Sequence, residues 1–252
     1  MIELPRDGRP PRRASPWVRV LGSISLLGSL APASCLRAPE PCVADLDEGD
    51  VVITEIRGPQ DGTWGEWIEL YNASGRALDL RGMRGTLERL KGSDIDGEAE
   101  LTFLIRDALP VEPGAYVVLG TLPLHPTRLP AVDYSINADF RTEPEQVEAS
   151  GGVIIPPASE NADPRALFGS ARLRLFACDR MIDSLAYIGL PPDGTLAFDG
   201  ARPPDAEDND ELCAHWCTDL DSPPQPEWTG ATGTPGTPGM PNPPCPAEPS
   251  CD

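Results

Sequence analysis

Short apolar segments separated by turn residues make up most of the chain after residue 50. The clearest is EWIELYN at residues 66–72, which places Ile68 and Leu70 on one side of an extended strand and the intervening residues on the other. Seven further segments, each bounded by Gly, Pro, Asp or Asn, also predict strands. They are residues 50–56, 77–80, 100–105, 115–119, 132–136, 171–176 and 181–188. Because these strands are short and numerous and no segment has amphipathic helical spacing, we expect an all-β sandwich or barrel.

Proline and glycine divide the rest of the chain into loops. The 31 Pro and 24 Gly disfavour helix bundles, because proline inside a helix removes a hydrogen bond and clashes with the preceding turn. Residues 141–168 are rich in both and predict a long insertion loop. Residues 191–252 contain 14 Pro and predict an irregular tail that buries little apolar surface. We expect disulfides to hold this tail in place.

The N-terminus has the three parts of a secretory signal peptide. Residues 1–19 are polar and rich in arginine, residues 20–30 (VLGSISLLGSL) are apolar, and Ala-Pro-Ala follows at 31–33. The apolar segment is shorter than the roughly 20 residues that a membrane-spanning helix needs. We therefore expect residues 1–34 to be a signal peptide and the chain to be exported.

Cys35 follows directly after this signal and resembles the lipidated cysteine of bacterial lipoproteins. Ordinary cleavage after Ala33 fits the sequence equally well, since Pro32 stands where lipoprotein signals usually have an aliphatic residue. Lipidation of Cys35 would leave an even number of cysteines for an oxidising compartment. The six that remain are disulfide candidates without an assigned pairing: Cys42, Cys178, Cys213, Cys217, Cys245 and Cys251.

Charge limits the partners. The chain carries 20 Lys and Arg against 40 Asp and Glu, a net charge of −20. Because affinity for nucleic acid comes largely from Lys and Arg that neutralise phosphates, we expect no nucleic-acid partner. Contact with a membrane is expected only through an N-terminal lipid anchor.

A series of motifs resembles the lamin tail domain of bacterial secreted proteins. In order they are DVVITEI at 50–56, GEWIELYN at 65–72, LDL at 78–80 followed by Gly82, VEPGAYVVL at 111–119, LRL at 173–175, IDSLAY at 182–187 and GTPGMPN at 236–242. The resemblance implies an immunoglobulin-like β-sandwich, an accessory or tethering role, and no catalytic motif. Met83 stands where this family commonly has an aromatic residue, and the insertion at 141–168 is unusually long.

The expected organisation has four parts. Residues 1–34 form the signal peptide, residues 35–47 a polar tether, residues 48–243 the lamin-tail-like sandwich and residues 244–252 a tail rich in Cys and Pro.

Candidate chemistry is sparse. The two histidines are His125, in a loop, and His215, between Cys213 and Cys217. The latter group has two interpretations: a zinc site, or a disulfide-bonded turn with an incidental histidine. The second is favoured, because thiolates are scarce in exported proteins.

Acidic side chains crowd residues 205–211. This run lacks the glycine and the distal glutamate of an EF-hand, which leaves a looser Ca²⁺ site or a solvated loop as interpretations. The solvated loop is favoured, and no other cofactor is expected. The weak calcium candidates are Asp205, Glu207, Asp208 and Asp210.

The outward side chains of the second predicted strand, Trp67, Glu69 and Tyr71, are the candidate binding face. Aromatic and carboxylate groups on a flat sheet could stack a sugar ring or anchor a protein. Alternatively, a long loop covers this face and makes it a second core, which is the favoured interpretation.

The functional hypothesis is an exported, non-enzymatic module that binds a protein or polysaccharide at the cell surface. The alternatives are a secreted hydrolase with a carboxylate- or metal-dependent site and a Ca²⁺-stabilised structural protein of the envelope.

Overall fold

A computed structural model describes residues 45–60, 65–92, 94–121, 132–136, 146–147, 153–154, 167–210, 212–220 and 236–246. The chain divides into two compact units, Met1–Arg37 and Ala38–Asp252. The predicted signal peptide, Cys35 and Cys42 lie outside the described residues, as do His125 and Cys251.

Strands dominate the described part of the second unit. They are β1 (Val51–Arg57), β2 (Trp67–Asn72), β3 (Leu78–Asp79), β4 (Met83–Lys91), β5 (Asp94–Leu104), β6 (Pro110–Val111), β7 (Tyr116–Gly120), β8 (Tyr134–Ser135), β9 (Gln146–Val147), β10 (Val153–Ile154), β11 (Ser170–Ala177), β12 (Arg180–Ile188), β13 (Thr195–Phe198) and β14 (Trp216–Asp219). A 3-10 helix at Asp208–Asp210 and a short helix α1 at Leu212–His215 precede β14. No helix in this part of the chain is long and apolar enough to cross a membrane.

Two sheets form the sandwich. The larger has six strands in the order β14-β13-β1-β2-β7-β8, and the smaller has four in the order β12-β11-β4-β5. The pairs β3–β6 and β9–β10 are separate two-stranded ladders. Neighbouring strands are antiparallel except for β7 and β8, which pair in parallel.

The core lies between the two large sheets. The six-stranded sheet contributes apolar side chains such as Ile53, Ile68 and Leu70, and the four-stranded sheet contributes Leu87, Phe103 and Leu173, all of them fully buried. On β11 buried and half-buried positions alternate along all eight residues. One face of that strand therefore meets the core while the other faces outward.

These observations confirm the predicted all-β sandwich. Every predicted strand is present, but residues 132–136 yield only the two residues of β8, and residues 100–105 are the end of an eleven-residue strand. The sequence pattern missed β4, β13 and β14, and also the two-residue strands β6, β9 and β10. Since β13 and β14 lie after residue 191, the prediction of an irregular tail was wrong for that stretch.

The predicted tether boundary was also misplaced. Leu46 is 3% exposed and belongs to the core, and the backbone N–H of Gly49 donates to the carbonyl of Ile182 on β12. The sandwich therefore includes residues 45–47, because an apolar side chain there is covered by β-sheet residues rather than by water.

Candidate functional site

The predicted binding face on β2 is largely covered. Trp67 is 1% exposed and Glu69 is 0% exposed, whereas Tyr71 is half-buried with its ring centroid 4.9 Å from that of Tyr116 on β7. Trp67 and Glu69 are thus not available to a partner, which corrects the interpretation of this face as an exposed binding surface. The alternative, a second buried layer, describes what is observed.

A β-bulge places two glutamates opposite each other in this layer. The register of β1 and β2 shifts between Ile53 and Glu55, so that Glu55 faces Glu69 directly across the ladder. The extra residue, Thr54, bends the strand locally. Like charges at directly opposed positions of an antiparallel pair destabilise it. Glu55 and Glu69, both 0% exposed, are called the carboxylate pair below.

Residues 236–242 cover the carboxylate pair, and we call this segment the C-terminal strap. Glu55 Oε1 accepts hydrogen bonds from the hydroxyl of Thr195 at 2.6 Å and from the backbone N–H of Thr237, in the strap, at 3.0 Å. Because Thr195 lies on β13, Glu55 joins three parts of the chain that are far apart in sequence.

Glu69 is held in the same way. Its Oε2 accepts from the backbone N–H of Gly239 in the strap at 2.6 Å, and its Oε1 lies 2.8 Å from the hydroxyl of Thr54. Both carboxyl groups therefore use strap amides as donors. Such bonds compensate in part for the removal of the carboxyls from water.

Burial changes the acidity of both groups. Removal from water raises the pKa of Glu55 to about 7, opposed by its hydrogen bonds from Thr195 and Thr237 and reinforced by the charge of Asp219. Burial also raises the pKa of Glu69 well above its ordinary value, and the charge of Glu55 adds to this effect. The carboxylate pair therefore holds a proton near neutral pH.

The strap is fixed at further points along its length. The side-chain amide of Asn242 donates to the carbonyl of Thr54 at 2.8 Å, and the hydroxyl of Thr237 donates to Oδ1 of Asn242 at 2.7 Å. Gly236 has a φ of +100°, and a Cβ at this position would lie 2.5 Å from Oε1 of Glu55. Only glycine allows the strap to approach the carboxylate pair this closely.

A disulfide joins Cys217 on β14 to Cys245, three residues beyond the strap. Cys178 is also disulfide-bonded. The zinc interpretation of residues 213–217 is therefore excluded, because it requires a thiolate at Cys217. His215 packs edge-on against Phe198, with ring centroids 6.2 Å apart. The side chain of Cys213 lies outside the described part of the structure.

A third buried carboxyl, that of Asp183, accepts a hydrogen bond from the part of β1 that β13 does not pair with. β13 pairs with β1 only at Glu55 and Ile56, so it does not reach Ile53. There, Asp183 Oδ2 accepts from the N–H of Ile53 at 2.7 Å, and the side-chain amide of Asn209 donates to the Ile53 carbonyl at 3.2 Å. Asn209 also donates to Asp183 at 2.7 Å. Burial raises the pKa of Asp183 to about 7, against the effect of these bonds.

An open cleft of about 450 Å³ lies beside Asp183. Its lining includes Met181 and five carboxylate residues: Glu48, Asp183, Asp205, Glu207 and Asp210.

The four calcium candidates do not form a cation site at this cleft. Asp205 Oδ1 instead accepts from the backbone N–H groups of Glu207 at 2.9 Å and Asp208 at 3.4 Å, as in a helix N-cap. Asp208 pairs with Arg202 at 3.2 Å, while Asp210 lines the cleft. In the described ranges, no group of three or more His, Cys, Asp or Glu side chains is arranged to hold a metal ion.

The outer face of the four-stranded sheet is polar and partly open. Arg84 on β4 and Arg174 on β11 both lie against the ring of Phe176, with guanidinium carbons 4.5 Å and 5.4 Å from its centroid. Arg174 also pairs with Glu88 at 2.8 Å. We call this surface the arginine–phenylalanine face; Arg172 lies on it too, opposite Glu88.

Two threonines lie in the middle of this face. Thr86 is opposite both Thr102 on β5 and Arg174 on β11, and the two threonines are 3% and 1% exposed. Neither hydroxyl has a hydrogen-bond partner, nor does Nε of Arg174. Buried polar atoms without partners are uncommon in folded proteins, so this row calls for an explanation.

No known protein family matches the chain, and a search of the curated proteins finds no match either. Its function is therefore inferred from the geometry described above.

Sequence reasoning missed the residues that carry this geometry. Glu55 and Asp183 lie in apolar strands, where the alternating pattern does not mark a carboxyl as buried. Arg84 and Thr86 belong to β4, which the pattern did not identify as a strand. The GTPGMPN motif at 236–242 was noted for its resemblance, but its contacts with Glu55 and Glu69 depend on pairing across more than 160 residues.

Proposed function

We propose that this chain is an exported, non-enzymatic module that is anchored at the cell envelope through Cys35 and binds a surface polysaccharide. The order of its motifs supports a lamin-tail-like domain with an immunoglobulin-like sandwich. The Cys217–Cys245 disulfide is compatible with an oxidising, exported location.

The observation that carries the binding proposal is the half-exposed group of Arg84, Arg174 and Phe176 on the arginine–phenylalanine face. The hydroxyls of Thr86 and Thr102, on the same strands, are buried and have no hydrogen-bond partner. Sugars present many hydroxyls, which both donate and accept. Guanidinium donors beside an aromatic ring complement such a surface.

The three buried carboxyls that the structure describes do not offer an equivalent surface. Glu55 and Glu69 have no exposure and are bonded to the strap, and Asp183 is bonded to β1. These groups hold the fold together. The arginine–phenylalanine face, in contrast, is half-exposed at Arg84, Arg174 and Phe176.

Valine substitutions distinguish a binding role of the hydroxyls from a purely structural one. Thr86→Val and Thr102→Val keep the side-chain shape while removing a buried, unpartnered hydroxyl, so we expect stability to be unchanged or higher. Because both hydroxyls are buried, we expect the same variants to bind envelope polysaccharide as the wild type does in co-sedimentation. Weaker binding by at least about tenfold would instead show that the ligand reaches these hydroxyls. Thr218→Val, at an exposed position on β14, is the matched control.

Arginine variants and protease-treated envelopes complete the test of polysaccharide binding. Arg84→Ala with Arg174→Ala is expected to abolish sedimentation with the polysaccharide, whereas Arg81→Ala, at the turn before β4, leaves it intact. Binding that is unchanged in the double variant would contradict the proposal. Binding that disappears when the envelopes are treated with protease would identify a protein partner instead.

The proposed lipid anchor at Cys35 is tested by a separate measurement. The intact mass of the mature protein is expected to show a diacylglyceryl-modified Cys35 at the N-terminus. A mature N-terminus at Ser34 would overturn the lipid anchor without affecting the binding face.

A carboxylate-dependent hydrolase is the second candidate, because paired carboxyls with raised pKa values also occur in active sites. The purified mature chain is assayed with phosphoester, glycoside and peptide substrates, and we expect no turnover. Turnover that is lost in Glu69→Gln but retained in Glu112→Gln, at an exposed position, would establish the hydrolase in place of the binding module.

A further inference from the structure

We propose that the C-terminal strap is a pH-dependent latch, closed over the β1–β2 face while the carboxylate pair holds a proton and open when both carboxyls are ionised. This inference does not depend on the proposed binding function. It concerns the opposite sheet of the sandwich.

The first basis is how the strap is attached. Each carboxyl of the pair accepts one strap amide, Thr237 for Glu55 and Gly239 for Glu69, at 3.0 Å and 2.6 Å. The two glutamates are direct neighbours across the β1–β2 ladder and have no exposure while the strap is in place. The same two side chains therefore hold the strap and are shielded from water by it.

The second basis is that the pair accommodates a proton without losing a strap bond. The hydroxyl of Thr54 lies 2.8 Å from Oε1 of Glu69 and 3.4 Å from the backbone carbonyl of the same residue. When Glu69 is protonated at Oε1, it donates to Thr54, whose own hydrogen then points to that carbonyl. Oε2 of Glu69 stays free to accept from Gly239.

The third basis is the charge around the pair. Asp219 on β14 adds negative charge near Glu55, and Asp133, before β8, adds it near Glu69. Tyr116 on β7 is neutral, because burial and the charge of Glu69 raise its pKa to about 12. The strap itself contains only Gly, Thr, Pro, Met and Asn and carries no titratable side chain.

The positively charged side chain of β1, Arg57, points to Trp67 and Gly65 rather than to the carboxylate pair. The guanidinium of Arg57, at the end of β1, lies 5.3 Å from the ring centroid of Trp67 and donates to the carbonyl of Gly65. Its neighbouring charge is Glu66 rather than the carboxylate pair. Loss of the last proton of the pair thus places two negative charges side by side in a buried layer.

The direction of the pH effect follows from the raised pKa of each glutamate. Protonation is favoured when the strap is closed, so the closed form is favoured at low pH and is lost as the pH rises through the closed-state values. Opening breaks the bonds to Thr237, Gly239 and Asn242, while the Cys217–Cys245 disulfide keeps the far end of the strap attached.

Amide hydrogen exchange on the full mature chain tests the latch. Exchange rates of the Thr237 and Gly239 amides, corrected for intrinsic base catalysis, are measured from about pH 5 to about pH 8.5. We expect their protection to fall at least about tenfold more over this range than that of amides in the β4–β11 ladder, whose protection follows the global stability. In the double variant Glu55→Gln with Glu69→Gln, the protection at Thr237 and Gly239 is expected to be independent of pH.

Two results would overturn the latch. One is protection at Thr237 and Gly239 that does not change with pH in the wild-type chain; the other is a fall that persists in the double variant or occurs equally in the β4–β11 ladder. Because the double variant could fail to fold, the side-chain carboxyl carbons of Glu55 and Glu69 are also titrated by NMR in the wild type. Their titration must coincide with the loss of protection, and titration of both groups below about pH 5 would equally rule out the latch.

Discussion

The ring of Phe103 occupies the space where a side chain at Gly85 would lie. The two residues are direct partners across the β4–β5 ladder, and a Cβ built on Gly85 would overlap three carbons of the ring. Gly85 itself does not need a positive φ. Because Gly85 has no side chain, the Phe103 ring from the neighbouring strand fills this part of the core.

This relationship predicts a packing defect on substitution. Gly85→Ala is expected to lower the free energy of unfolding by about 1–3 kcal/mol, because the core must shift to admit one methyl group. Urea denaturation of the purified chain measures the change. Gly169→Ala is the control, since no heavy atom lies within 4 Å of its Cβ position, and it should leave stability nearly unchanged. Equal losses in both variants would contradict the packing argument.

Asp183 is predicted to be essential to the edge of β1. Asp183→Ala leaves the N–H of Ile53 and one N–H of Asn209 without their acceptor inside the protein. We expect a loss of about 2–4 kcal/mol in unfolding free energy, since each buried unpaired donor costs about 1–3 kcal/mol. Glu112→Ala, at an exposed carboxyl, should change stability by less than about 0.5 kcal/mol. A loss no greater than the control's would show that water replaces the carboxyl at β1.

The Cys217–Cys245 disulfide is predicted to stabilise the fold through the unfolded chain. It closes a loop of 28 residues, for which the chain-entropy estimate is about 3–4 kcal/mol. The double variant Cys217→Ser with Cys245→Ser should therefore have a lower melting temperature under oxidising conditions. On addition of a reductant, the melting temperature of this variant should fall less than that of the wild type. Equal falls in the two proteins would show that this bridge contributes nothing to stability.

Stability is predicted to fall as the pH rises from about 5 to about 7. The pKa values of Glu55 and Asp183 are both raised to about 7 in the folded protein, so the folded state binds more protons than the unfolded state in this interval. Each group then lowers the free energy of unfolding by on the order of 1.4 kcal/mol per pH unit until the pH reaches its folded-state pKa. The net charge of −20 acts in the same direction.

Urea denaturation at several pH values measures this dependence. In Glu55→Gln the slope between about pH 5 and about pH 7 should be smaller, whereas Glu112→Gln should keep the wild-type slope. A stability that rises over this interval would mean that the buried carboxyls are ionised in the folded protein.

The strands that the sequence predicted are those with a regular apolar side. β11 alternates over its whole length, so burial of one face follows directly from the pattern. β4 reads MRGTLERLK, and its inward position 85 is a glycine whose space is filled by Phe103. No local pattern can reveal a core position that is occupied from another strand.

The buried polar layer was beyond prediction for a different reason. Trp67 and Glu69 alternate with Ile68 and Leu70 as an outward face should, and the pattern on β2 does not say what covers them. Glu69 is bonded to the strap, which lies far away in sequence and contains little apolar surface of its own. The sequence favoured a loop that covers this face, but the partners of Glu69 could come only from the three-dimensional arrangement.

Because Cys217 and Cys245 are bonded, a single backbone cut at any peptide bond between them would not release a fragment. The two pieces would migrate as one molecule until a reductant was added. In an oxidising compartment, where reductants are scarce, such a bridge preserves covalent continuity after damage as well as before it.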